Sequence, residues 1–285
     1  MRKIQLPEKV IDSITRIIDD KLKSEELRTR FFNTLLRDDI LKILDMYCTV
    51  VYYPLENESN NGFHITGIPD RLGNEHHFVY INTNQTIEKQ IFTAAHELGH
   101  IWEVDKQIFD IHKSELSNIC DEDIINRFAA ELLMPAQEFN TVFDSEFKNA
   151  LTKEGQTHLG NLLKTIVAMM SHFFVPSKAV IYRLYELGRI NSNVVELLLG
   201  EKFISEADIT AFINENLKEM GLIDFINPNK KKWIDGLADL LDRAESEQAI
   251  SVTKLERMRE TFDLPKKQVD TNVFEEIVNV SSREE

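Results

Sequence analysis

Apolar residues recur at helical spacing through the first 47 positions, with Ile4, Val10, Ile14, Ile17 and Ile18 in one stripe and Phe31, Leu35, Leu36, Ile40 and Leu44 in another. This predicts a helical lead. The period then changes. "CTVVYY", "GFHITGI" and "HFVYIN" are short, rich in β-branched and aromatic residues, and divided by the turn-like "LENESNNG" and "PDRLGNEH". Three strands of a small sheet follow. From Thr86 the pattern is helical again and continues past Trp102, with Glu88 in the first turn, where a helix N-terminus favours negative charge. A second helix is predicted from about Asp121 to Met134, stopped by Pro135, which lacks the next backbone donor. Between them, "EVDKQIFDIHKSELSNIC" reads as a polar connection.

Residues 158–189 read as two helices joined by a tight turn near Val175 and Pro176 and stopped at Gly188, the outline of a helix-turn-helix; Met169 and Met170 read as core. Beyond about Asn191 the pattern stays helical and charged. "KKWIDGLADLLDRAESE" sets Trp233, Ile234, Leu237, Leu240 and Leu241 on one face, Lys230 to Lys232 read as the solvated start of that helix, and the tail ending "VNVSSREE" is polar enough to fray. The expected fold class is α+β, mainly helical. Its expected divisions are a helical lead over 1–47, a core over 48–150, a helix-turn-helix-like element over 151–192 and a helical C-terminal extension over 193–285.

Composition narrows the function. The chain has 285 residues and a formal charge of −15, which argues against nucleic acid as a direct partner, since phosphate attraction needs clustered Lys and Arg. No secretory leader and no long apolar run is visible, so a cytoplasmic protein without a membrane partner is expected. Cys48 and Cys120 are two, widely spaced, and read as reduced and buried.

The chemistry lies in "FTAAHELGHIW". Residues four apart on a helix stand one turn above each other, so His96 and His100 can aim ring nitrogens at one ion. Glu97 projects about 100° from His96, where it can serve water as a general base without ligating the metal. Ile87, Ile91, Ala95, Leu98 and Trp102 cluster within about 40° of one direction, and the histidines lie off that apolar stripe. A third ligand must come from elsewhere. Glu122 is the favoured candidate, with Asn126 one turn on to accept the remaining N–H of a ligating histidine. Asp121, Asp123, Asp110, His112 and Cys120 compete with Glu122, which could instead merely cap its helix.

Taken together, "VYINTNQTIEKQIFTAAHELGH", "NRFAAELLMP" and "FFVPSKAVIYRLYELGRI" resemble the ImmA/IrrE family of metallopeptidases, within the gluzincin group, over roughly residues 48 to 190. The family carries its third ligand in an acidic position before an N-x-F-A core, which Glu122 and Asn126 match. Many members have a glutamate and an alanine just before that asparagine, where this chain has Ile124 and Ile125. The resemblance implies a zincin-like core holding one Zn2+ per chain, although two histidines and a carboxylate also suit Mn2+ or Fe2+. It further implies a protein substrate, often a repressor of the XRE helix-turn-helix type, whose cleavage derepresses mobile-element or stress genes. A peptide is expected to add along "HFVYIN" at Phe78 and Tyr80, with His172, Tyr182 and His112 as candidates to assist the oxyanion. The competing function is a metal-binding regulator that sequesters a partner in a toxin–antitoxin or phage-derived module. A weaker reading makes residues 158–189 a DNA-binding element.

Overall fold

Helix α1, Glu8–Leu22, turns Val10, Ile14 and Ile18 inward, as the apolar spacing requires. The computed structural model of the chain describes residues 4–24, 27, 35–57, 60–69, 75–150 and 158–265. Phe31 and the tail after Pro265 lie outside them. The chain packs as two units, 1–231 and 232–285, so the division falls inside the stretch expected to form the C-terminal extension. The architecture is α+β and mainly helical.

In the first unit, α2 (Asp39–Tyr47) leads into β1 (Thr49–Tyr53), β2 (Gly62–Pro69) and β3 (Glu75–Asn82). The strands lie in the order β2-β3-β1, with β3 parallel to β1 and antiparallel to β2. Val50, Tyr52, Val79 and Ile81 are buried, whereas Phe63 and Ile65 on β2 are exposed. Pairing slips between Ile65 and Ile68, where Gly67 takes a φ of 75°.

Asn82 ends β3 fully buried and organises the loop between β1 and β2. Its Oδ1 accepts from the backbone N–H groups of Leu55 (2.9 Å) and Asn84 (3.0 Å), and its Nδ2 donates to the carbonyls of Asn60 (2.6 Å) and Asn57 (3.3 Å). Buried polar atoms without such partners would be costly, so one amide ties down Leu55, Asn57 and Asn60 together.

Helix α3 (Ile87–Ile101) packs on this sheet and against α5 (Asp121–Leu133). Glu103, at a φ of 53°, breaks the chain direction after α3. The stretch expected to be a polar connection then forms α4, Val104–His112. Val104 and Ile108, one turn apart, supply the buried face that its polar composition obscured. Pro135 ends α5 and opens α6, Ala136–Ala150. Helices α7 (Leu159–Phe173) and α8 (Ser177–Glu186) meet at 103°, and α8 buries Ala179, Val180, Ile181, Tyr182, Arg183 and Leu184. Helices α9 (Ser192–Leu198) and α10 (Glu206–Glu219) follow. Among the described residues, no single helix is long and apolar enough to cross a membrane.

Four charged side chains join α5 to α8. Arg183 is wholly buried, donating to both Glu131 oxygens and, through Nε, to the Met134 carbonyl (3.1 Å). Arg127 pairs with Glu131 (2.8 Å) and Glu186 (3.2 Å). Burial pushes the Glu131 carboxyl up, but Arg183 and Arg127 together outweigh it and hold the group below its ordinary value. At Glu186 burial wins and the group is raised.

The second unit contains a two-residue strand, Trp233–Ile234, and helices α11 (Leu237–Ser246) and α12 (Val252–Thr261) around Leu237, Leu241 and Leu255. The helix expected from Lys230 begins later. Gly236, at a φ of 66°, separates Trp233 and Ile234 from α11, and Trp233 and Leu240 are exposed. The cysteines are free thiols, but Cys120 is exposed because it stands at the N-cap of α5, outside the helix packing.

Candidate metal centre

The third turn of α3 onward sets the site. His96 and His100 stand with ring centroids 5.1 Å apart, and the glycine between them lets α5 approach. A Cβ at Gly99 would lie 2.8 Å from the Phe128 ring and 3.1 Å from Ile125 Cδ1. That close approach brings the first turn of α5 to the histidines. Glu122 Oε2 lies 3.2 Å from His96 Nε2, and Oε1 lies 3.5 Å from His100 Nε2. Asp123, not Glu122, caps the helix by accepting the Cys120 N–H (3.0 Å).

These three side chains offer ligand atoms within 4.8 Å of one another, and among the described residues theirs is the one group of that kind. Asp121, Asp123, Asp110, His112 and Cys120 do not join it. The donors suit a tetrahedral divalent ion, because bonds of about 2.0–2.1 Å put donor atoms roughly 3.3 Å apart. Hydrogen bonding with His96 holds the Glu122 carboxyl below its usual range, and burial followed by the His96 charge pushes His100 down. Glu97 is buried. That burial raises its carboxyl, with His96 opposing and Glu122 adding.

Two clefts meet at this cluster and share Gly62, His96, Glu97 and Glu122. One, of ≈ 800 Å³, runs between the loop at Asn57–Asn61, the first half of α3 and the start of α8. The other, of ≈ 570 Å³, runs along β2 past His64 and His77 toward Glu103 and Asp105. Gly62 marks the crossing, since a Cβ there would lie 2.5 Å from the Tyr80 carbonyl oxygen and 2.6 Å from Thr93 Cγ2.

Residues 45–185 match the family model described as the IrrE N-terminal-like domain, of the peptidase M78 family. They form an IrrE N-terminal-like peptidase domain. No curated protein matches the chain. Membership gives this zincin-like domain a metallopeptidase-like function and agrees with the resemblance carried by its histidine motif.

Other expected residues of the IrrE-like domain fall elsewhere. β3 is hydrogen-bonded on both sides, so Phe78 and Tyr80 do not offer a peptide an edge; the outer strand beside the clefts is β2. None of His112, His172 and Tyr182 lines either cleft. His112 is buried against Ser13 Oγ (2.9 Å), His172 lies 3.5 Å from Glu138, and Tyr182 is buried in the core. Asn126 does line the larger cleft, and its amide nitrogen donates to the Glu122 backbone carbonyl (2.7 Å). Sequence reasoning missed Gly99, Asn82, and the pair His64 and His77, whose ring nitrogens lie 3.0 Å apart. Alternation along β2 could have revealed His64, which shares a strand face with Gly62.

Proposed function

We propose that the protein is a zinc-dependent endopeptidase that cleaves a specific protein substrate, a repressor of the XRE helix-turn-helix type, and so derepresses mobile-element or stress genes. The observation that carries the reading is the convergence of His96, His100 and Glu122 beside a buried Glu97 where two clefts cross. His96 and His100 would hold the ion through Nε2 and Glu122 through its carboxylate. When bound, zinc supplies Lewis acidity to a peptide carbonyl and makes water nucleophilic at neutral pH.

The protein's own groups do the rest. Glu97 accepts the proton released by the attacking water and returns it to the departing amine. Its burial raises the carboxylate's affinity for a proton, which strengthens it as the base that takes one from water. An extended peptide lies along the outer edge of β2 and adds its backbone to the sheet. Gly62 lets β2 lie close against β3 and Thr93 at the crossing.

The decisive experiment pairs the wild-type protein and E97Q with purified repressors of the XRE helix-turn-helix type. Wild-type protein should clip a repressor, and E97Q should retain about one zinc per chain with cleavage reduced at least about a hundredfold. Repressor release by E97Q equal to wild type, without cleavage, would instead establish sequestration.

A further inference from the structure

Away from the metal cluster, the described charges of the larger cleft are opposite in sign to that of the chain. Apart from Glu97 and Glu122, the charged side chains that line it are Lys89 on α3 and Lys178 in the first turn of α8. The remaining polar walls are the carboxamides of Asn57, Asn60, Asn61, Gln85 and Asn126 and the hydroxyl-bearing Thr93. In a chain of net charge −15, an arm that shows, among the described residues, two cations and no carboxylate beyond the site itself is unusual in character.

Neither lysine forms an ion pair among the described residues. Glu88, next to Lys89, is buried and takes its hydrogen bond from Thr86 Oγ1 (2.6 Å). Lys89 is exposed and lines the cleft, its charge acting on the Glu88 carboxyl without a close ion pair. The other arm has the reverse character. It is lined by Glu103 and Asp105, with Lys106 engaged by Glu103 at 2.7 Å. A peptide crossing the site therefore meets cations on one side of the bond to be cut and anions on the other.

We infer that the substrate presents an acidic side chain to the arm between α3 and α8, where Lys89 and Lys178 receive it. The inference rests on the peptidase reading and adds to it a chemical class of substrate. Each lysine is solvent-exposed, so each pairing contributes modestly, and two acting together favour an acidic peptide over its amide isostere by about fivefold. The preference weakens as salt screens it.

The test uses zinc-loaded E97Q protein and an array of short peptides in which Asp and Glu are exchanged for Asn and Gln. Acidic peptides should bind about fivefold tighter, with the difference shrinking at about 0.5 M salt. The K89E/K178E substitutions on the same background should erase or reverse it. Equal binding of acidic and amide peptides, or a preference unchanged by K89E/K178E, overturns the lysine assignment while leaving the peptidase reading intact. Failure of every peptide to bind, together with failure of wild-type protein to cut any, overturns both.

Discussion

Gly99→Ala isolates the role of helix approach in building the metal centre. The added Cβ would stand 2.8 Å from Phe128 Cδ1 and 3.1 Å from Ile125 Cδ1, against an ordinary carbon contact of about 3.5–4.0 Å. Phe128 is wholly buried and packed edge-on against Trp102 at 5.7 Å, which leaves its ring little room to turn. The strain must move α5 outward by about 0.7 Å or more to restore that contact distance. Overpacking costs about 1–3 kcal/mol, while replacing a helical glycine returns about 1 kcal/mol. The net loss of at most about 2 kcal/mol corresponds to a Tm fall of roughly 4–8 °C for a domain of this size. The metal is more sensitive, because ligand distances tolerate only about ±0.2 Å and Glu122 rides on the displaced helix. Zinc affinity, measured by competition with a chromophoric chelator, should fall about 10–100-fold, as when the support of a ligand is disturbed. A G99A protein binding zinc within about twofold of wild type would refute the coupling of helix spacing to ligand convergence.

The buried charges make a pH prediction. The folded Glu131 carboxyl is held below its unfolded value, so its stabilisation is complete above the ordinary carboxylate range and is lost as pH falls through the folded value. Glu186, raised by burial, acts oppositely, its contribution being lost as pH rises through its folded value. The difference in urea midpoint between wild type and E131Q should therefore shrink on acidification, and a pH-independent difference would refute this. The thiols differ in reactivity. Burial, with Asp45 and Glu97 adding, pushes Cys48 up to about 12, while Cys120 is exposed. A thiol reagent at neutral pH should label Cys120 rapidly and Cys48 only on unfolding; two fast equivalents in the native protein would contradict this.

Much of this was legible because the relevant signals are local. The one-turn spacing of His96 and His100, the strand alternation around Val50 and Val79, and the stop at Pro135 each depend on neighbours in sequence. Glu122 was found because a third ligand was chemically required, not because its own surroundings marked it. The failures are non-local. "HFVYIN" is an evident strand, but its place between β1 and β2 depends on pairing that no single strand announces. Helix α4 has too few apolar residues to stand out until α1 and α5 are present to cover Val104 and Ile108. Asn82 looks like any turn asparagine until the loop it holds has folded around it.

The Arg127, Glu131, Arg183 and Glu186 quartet determines how short a working version of this protein can be made. Truncation after α6 would leave Arg127 and Glu131 paired with each other but without Glu186 and Arg183, the counterparts that tie their helix to α8. A minimal fragment must therefore extend through Glu186, one residue past the end of the stretch shared with the peptidase family, because the helix bearing Glu122 is anchored from that far along the chain.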